Sequence, residues 1–291
     1  MNRVVVTGAG GRLGTALVRR PGGYSVLALD RQALDLTEPG RIAERLEHEP
    51  FDALINCAAI TNVDYCEGHP DQARRVNAEA VAELATLCSA KGARLIHIST
   101  DYVFAGDRPG LLRESDPAEP RSVYGRSKRE GELAALADPR HIVARVSWVF
   151  GPERPSFLDM LVERATREDR VSAVADKFSS PAYTADLACW IDALLRPGIP
   201  GGVVHLCNPG ITSWCEYGQF ALDRVREAGI PLRAAAVEPL RLADMTVFVA
   251  ERPVHTAMDT ARFTDWTGIE PRPWQEAVAA YVTDHLVPRL R

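Results

Sequence analysis

The feature that most constrains this chain is the run Thr7-Gly8-Ala9-Gly10-Gly11-Arg12-Leu13-Gly14. Ahead of it lies the β-branched stretch from Arg3 to Thr7. Behind it Leu13, Leu17 and Val18 fall on one helical face, closed by Pro21-Gly22-Gly23. Glycine-rich turns are common, and it is the context of strand before and helix after that makes this one specific. Glycines at 8, 11 and 14 allow a tight turn, let backbone N–H groups approach a pyrophosphate, and permit close helix–strand packing. The helix N-terminus adds partial positive charge. The run therefore predicts a dinucleotide cradle built from Gly8, Gly11, Arg12, Leu13 and Gly14.

The pattern that follows repeats strand and helix. Strands are expected at Tyr24 to Leu29, Ala53 to Cys57, Leu95 to Ser99 and Ile142 to Ser147. Helices are expected from Pro39 to Glu47, Asp71 to Ala90 and Tyr124 to Leu136. Phe104 to Val123 reads as a long surface loop. This alternation predicts an α/β fold, a Rossmann-type doubly wound parallel sheet. Beyond Phe150 the rhythm loosens. Helices are expected at Phe157 to Thr166, Thr184 to Leu195, Trp214 to Ala228 (Ser213 as N-cap) and Pro273 to Leu286, with strands at Val171 to Ala175 and Val203 to Leu206. The division implied is a cofactor-binding domain over residues 1–150, rejoined by about 184–208, and a smaller α/β substrate-binding lobe filling most of 151–291.

Composition narrows the partners. The 291 residues carry a net charge of −5, and no Lys/Arg run offers the basic stripe that nucleic acid requires. No stretch of about 18 apolar residues and no signal-like N-terminus is present, so the expectation is a cytoplasmic protein without membrane contact. Six scattered cysteines lack Cys-x-x-Cys or His-pair spacing and read as free thiols, not as a metal site.

Asp30 closes the second strand where a carboxylate can hydrogen-bond adenosine ribose hydroxyls, which favours NAD. Arg31 and Arg12 could instead pair with a 2′-phosphate and admit NADP. The cofactor reads as NAD or NADP. Tyr124-Gly-Arg-Ser-Lys128 places a phenol and an ammonium at i and i+4 of a helix. A lysine charge beside a tyrosine would lower a phenol pKa that is ordinarily about 10. The strand ending Ser99-Thr100-Asp101 supplies hydroxyls at the sheet edge where such folds present ligands. Ser99 falls with the cofactor contacts. Asp101 falls with the substrate group, where it would orient the Thr100 hydroxyl. His97 reads as a satisfied core histidine, and Trp148 as core or pocket wall equally.

These residues carry a resemblance. The ordered set resembles the extended short-chain dehydrogenase/reductase superfamily and, within it, the dTDP-4-dehydrorhamnose reductase family. The matching stretches are Asn56-Cys-Ala-Ala59, Thr61-Asn-Val-Asp64 with Glu67, Val76-Asn77-Ala78, and Ser99-Thr-Asp-Tyr-Val-Phe104. They continue through Val123-Tyr-Gly-Arg-Ser-Lys128 with Gly131-Glu132, Arg145-Val-Ser-Trp148, Pro181 to Leu187 and Glu251-Arg252-Pro253.

The resemblance implies that Tyr124 protonates a sugar C4 carbonyl oxygen while hydride arrives from the nicotinamide. Lys128 would hold the nicotinamide ribose, and Thr100 would hydrogen-bond the substrate oxygen. Asp35 and Leu36 would border the adenine, and Ala58 and Ala59 would line the cofactor path. Thr61, Val63, Tyr102 and Trp148 would shape the sugar pocket, with Arg252 near the diphosphate. The activity implied is NAD(P)H-dependent reduction of a nucleotide-activated 4-keto-deoxysugar, foremost dTDP-4-dehydro-L-rhamnose to dTDP-L-rhamnose, by a possible homodimer. Tyr102 stands where the superfamily's dehydratases carry Glu, which disfavours dehydration. Departures at Cys57, and at Lys177, Ser179 and Ala182, leave other nucleotide-sugar 4-ketoreductases or epimerases open. So does a non-catalytic role like that of the methionine adenosyltransferase regulatory subunit in the same branch.

Overall fold

A computed structural model describes residues 3–19 and 23–291; Pro21 and Gly22 of the expected helix stop lie outside the described residues. Six strands form one sheet: β1 Arg3–Thr7, β2 Ser25–Leu29, β3 Ala53–Asn56, β4 Arg94–Thr100, β5 Ile142–Val146 and β6 Gly202–Leu206. Every pairing is parallel and the order is β6-β5-β4-β3-β1-β2. Such strands are covered on both faces, so they read as nearly continuous apolar runs. β3 and β5 are buried along their whole length.

The chain leaves β1 toward β2 on one side and returns to β3 on the other. The crevice at that switch point is where open α/β sheets bind ligands, and the glycine loop follows β1 directly into it. Helix Arg12–Arg19 then packs against Thr184–Leu194.

Three large cores fill the interior, one of them built on Val5, Leu54, Leu84 and Leu95 against one face of the sheet, with two more beside it. Of these two, one joins β1, β3, β4 and β5 to residues 182–207, Met258 and Phe263. The other gathers Phe150, Leu158, Leu161, Tyr217, Leu222, Trp274 and Tyr281 around the short parallel pair Val171–Val174 and Val237–Leu240. Leu112 of the expected surface loop is buried and bridges to Met258, so that loop is pinned at its centre. The helix expected over 71–90 is continuous but takes a π-turn at Arg75–Glu79 between Pro70–Arg74 and Ala80–Lys91. The last helix carries a second π-turn at Val282–Leu286. A π-turn widens one turn by a residue and commonly re-aims a side chain near a site. Among the described residues no helix is long and apolar enough to cross a membrane.

Candidate active site

The glycine loop borders a cleft of about 760 Å³ lined by Gly8, Gly10, Gly11, Asp30, Arg31, Asp35 and Leu36 on one side. Ala58, Ala59, Thr61 and Asn62 line the other. Gly8 sits at φ +64°, and a Cβ there would meet the backbone nitrogen of Ala58 at 2.6 Å. Only glycine lets the first turn lie this close to the chain leaving β3. These residues fit a dinucleotide: bare backbone at the helix N-terminus for the diphosphate, and a carboxylate beyond β2 for a ribose. Asp30 already accepts from the Ala33 N–H at 2.9 Å. Asp35 is held below the usual carboxylate range, chiefly by the Thr37 N–H and also by the Thr37 hydroxyl and Arg31, although the little burial it has works the other way.

Six of the expected cofactor contacts do not line this cleft, Tyr124 and Lys128 among them. The Arg12 guanidinium turns away and donates to the carbonyls of Val149 at 2.8 Å and Pro155 at 2.6 Å. It therefore ties the 149–155 segment to the first helix and is spent before it could reach a 2′-phosphate. Leu13 belongs to the first core. Gly14 lies behind the loop, where a Cβ would meet the Gly8 carbonyl at 2.2 Å. Ser99 donates to Glu132 at 2.7 Å inside the protein. Arg31, exposed at the cleft and paired with Asp35 at 3.2 Å, is the arginine left beside the ribose position. Arg154, to which the sequence reading gives no role, lines the cleft and donates to the Gly10 carbonyl. Nothing in its Pro-rich surroundings marks it; only the fold carries it across the loop.

The Val123–Ala135 helix delivers Tyr124 and Lys128. Its start is capped twice: Ser122 Oγ accepts from the Gly125 N–H at 3.1 Å, and Glu67 accepts from the Val123 N–H at 2.7 Å. A Cβ on Gly125 would meet the Tyr102 carbonyl at 2.3 Å, so glycine lets this helix press against the Thr100–Tyr102 turn. Tyr124 packs with Cys66, Val63 and Tyr102, its ring edge-on to Tyr102 at 5.6 Å. From the π-turn, Asn77 donates to the Ile60 carbonyl and to Ser127, both at 3.0 Å, and accepts from the Ile60 N–H. It clamps the cleft wall to the catalytic helix.

The Tyr124 phenol lies beside the Thr100 hydroxyl. Burial pushes the Tyr124 phenol well above its ordinary value; Thr100 opposes this, while Asp101 and Cys66 add to it. The expected lowering by Lys128 is absent, because Lys128 Nζ points away. It donates to the Ile98 carbonyl at 2.7 Å and lies 3.2 Å from His97 Nε2. A phenol kept protonated suits a group that gives up a proton. Burial draws Lys128 down to about 8, against the opposing charge of Glu132. His97 is indeed buried and satisfied, yet one of its two partners is this lysine.

Asp101 is buried, and its carboxylate is fully engaged: Thr100 donates at 3.1 Å, Thr256 at 2.6 Å and Ser179 at 3.2 Å. It orients Thr100 and is not free for a direct substrate contact. Trp148 is the one non-glycine residue with positive φ (39°) among the described residues. Its ring lies 5.5 Å from that of Trp214, and its buried indole N–H has no partner. Strain and an orphaned buried donor coincide at this one residue. Arg252 pairs with Asp64 at 2.6 Å and lies over the Phe248 ring. Lys177, also buried, donates to the Pro253 carbonyl and lies over the Tyr102 ring at 5.2 Å. No group of three or more His, Cys, Asp or Glu side chains among the described residues is arranged to hold a metal ion.

A parallel sheet with a glycine loop at its switch point, with Thr100 at the end of β4 and Tyr124 and Lys128 on the helix packed against that strand, defines a Rossmann-type NAD(P)-dependent oxidoreductase. Residues 1–287 match the family described as the RmlD substrate binding domain, and the chain belongs to that family. It is 38% identical over 289 residues to the dTDP-4-dehydrorhamnose reductase of Streptomyces griseus, covering 95% of this chain and 91% of that one. It is 37% identical over 295 residues to a probable dTDP-4,6-dihydroxy-2-methyloxan-3-one 4-ketoreductase of Streptomyces antibioticus, covering 98% and 96%. Among solved structures, the dTDP-4-dehydrorhamnose reductase of Bacillus anthracis in complex with NADP superposes with a TM-score of 0.89 at 28% identity, covering 98% of this chain and all of that one.

Proposed function

We propose that this protein reduces the C4 keto group of a dTDP-activated deoxysugar, dTDP-4-dehydro-L-rhamnose to dTDP-L-rhamnose, with NADPH or NADH. The observation that carries the reading is the Tyr124 phenol set beside Thr100 at the end of β4, in the same sheet whose glycine loop borders a cleft fitted to a dinucleotide. The cofactor, when bound, supplies the hydride. Thr100 swings its one hydroxyl hydrogen from Asp101 to the carbonyl oxygen, polarising it, and Tyr124 transfers its phenolic proton to the same oxygen as alkoxide character develops. Lys128 holds the nicotinamide ribose. Thr61, Val63, Tyr102 and Trp148 border the sugar, and Arg252, held by Asp64 and the Ala250 carbonyl, lies toward the diphosphate.

The two cores of the sheet, set apart from that of the 150–290 region, support a division into a cofactor unit (1–150 with about 184–208) and a substrate lobe (most of 151–291). Six free cysteines favour a reducing compartment, the cytoplasm. A homodimer is part of the same reading.

The test is NAD(P)H oxidation with dTDP-4-dehydro-L-rhamnose and a panel of other dTDP-4-keto sugars. No oxidation with any of them, in protein that binds NADPH, would reject the reading. Lys177, placed against the Tyr102 ring where the family more often carries Gln, favours a second substrate within the same class. Preference for a different 4-keto sugar in the panel would establish that.

A further inference from the structure

The sheet register sets three polar residues side by side, with Thr7 opposite Asn56 and Asn56 opposite His97. All three are buried, and their hydrogen bonds form one chain whose donor sense can be worked out. Asn56 Oδ1 accepts from the Ala58 N–H at 3.1 Å and from the Thr7 hydroxyl at 2.7 Å. A backbone N–H can only donate, so the oxygen of this amide must face Ala58 and its NH2 must face His97. Asn56 Nδ2 therefore donates to His97 Nδ1 at 3.1 Å. Burial keeps His97 neutral. A neutral imidazole that accepts at Nδ1 carries its proton on Nε2. That N–H points at Lys128 Nζ, 3.2 Å away. Lys128 spends one hydrogen on the Ile98 carbonyl. An ammonium has no lone pair with which to accept from His97; an amine has one.

We propose that His97 is a positioning residue that acts on Lys128 as a hydrogen-bond donor, so that the network of the free enzyme accommodates the lysine as an amine. Donor sense then runs unbroken from Thr7 through Asn56, His97 and Lys128 to Ile98. It links the strand that enters the glycine loop to the lysine that the proposed reaction uses. The other groups facing Lys128 do not reverse this. Cys57, beyond β3, is pushed up to about 12 by burial and stays a neutral thiol. Glu132, on the same helix, is already engaged by Arg145, Arg129 and Ser99. Tyr124 is protonated.

The direct test is the nitrogen spectrum of the full chain with 15N-labelled histidine, the His97 signals being assigned by their loss in His97→Gln. The expected result is a proton on Nε2 and a bare Nδ1; the opposite tautomer would overturn the proposal. A second arm rests on the ketoreductase reading and follows the basic limb of kcat/KM against pH. His97→Asn keeps a polar group toward Asn56 but removes the donor facing Lys128, so its limb should move up by about one pH unit. His97→Gln, whose amide nitrogen replaces Nε2, should keep the limb of the unmodified enzyme. A limb that stays in place in His97→Asn also rejects the proposal. The spectrum needs no substrate, so failure of this proposal and failure of the functional reading are distinguishable.

Discussion

Asp64 and Arg252, 188 residues apart, meet at 2.6 Å. The same carboxylate accepts from the Val249 and Ala250 N–H groups at 2.8 and 2.9 Å, so one side chain at the start of helix Val63–Gly68 fastens the C-terminal segment over the proposed sugar pocket. Arg252's hydrogen bond is the largest influence holding Asp64 below the usual carboxylate range.

Asp64→Asn keeps the shape but removes the charge that three donors share. A charge-assisted bond of this kind is worth about 1.5–3 kcal/mol. The expected outcome in steady-state kinetics is a KM for the nucleotide sugar raised about tenfold, with kcat and the cofactor KM little changed. An equal fall in kcat would mean that the segment positions the reacting carbon as well.

Tyr124→Phe removes the proton donor while leaving the ring packed among Cys66, Val63 and Tyr102. We expect kcat to fall by about 10²–10⁴, with NADPH affinity, read by fluorescence titration, within about twofold of the unmodified enzyme. Full activity in this variant would rule out the assigned proton transfer.

Glu132 and Arg145 form a bidentate pair, both bonds at 2.8 Å, with Glu132 fully buried. Glu132→Gln strands the arginine charge in the core, at a cost of about 3–5 kcal/mol. Thermal unfolding should show Tm lower by on the order of 10 °C. Burial alone would raise the Glu132 carboxyl, but its bonds to Arg145, Ser99 and Arg129 outweigh that and leave it depressed. A depressed acid stabilises the fold above its unfolded value, about 4.3, and that contribution is lost as pH falls through the folded value. Acid unfolding of the unmodified protein should therefore steepen below about pH 4, and Glu132→Gln should lack this component.

Arg31 is exposed beside Asp30 and Asp35. Arg31→Ala should raise KM for NADPH about tenfold and leave that for NADH unchanged. Arg12→Ala, by contrast, should loosen the 149–155 segment and weaken both cofactors alike.

The legible part of this protein lay in local pattern. Val4 to Val6, the glycines at 8, 11 and 14 and the periodic face after them predict strand, loop and helix because each depends on residues a few positions away. The Tyr124–Lys128 spacing is likewise a property of one helix. Family resemblance supplied Asn77 and Glu67 as matched residues, but not the clamp and the cap they form, since their partners lie in other elements.

The sequence by itself determined the order of elements, the glycine loop between first strand and first helix, and the identity of the hydroxyl and phenol that lie side by side at the end of β4. Only the tertiary structure decided what each polar group is spent on. Arg12, Ser99 and Asp101 have side chains suited to ligands, but each finds an internal partner within hydrogen-bond reach, as any buried polar group must. His97 looks like any core histidine until the β3–β4 register sets it between Asn56 and Lys128. Direction of hydrogen bonding is a property of the assembled network, fixed by groups such as the Ala58 N–H that can only donate, and no local pattern of residues encodes it.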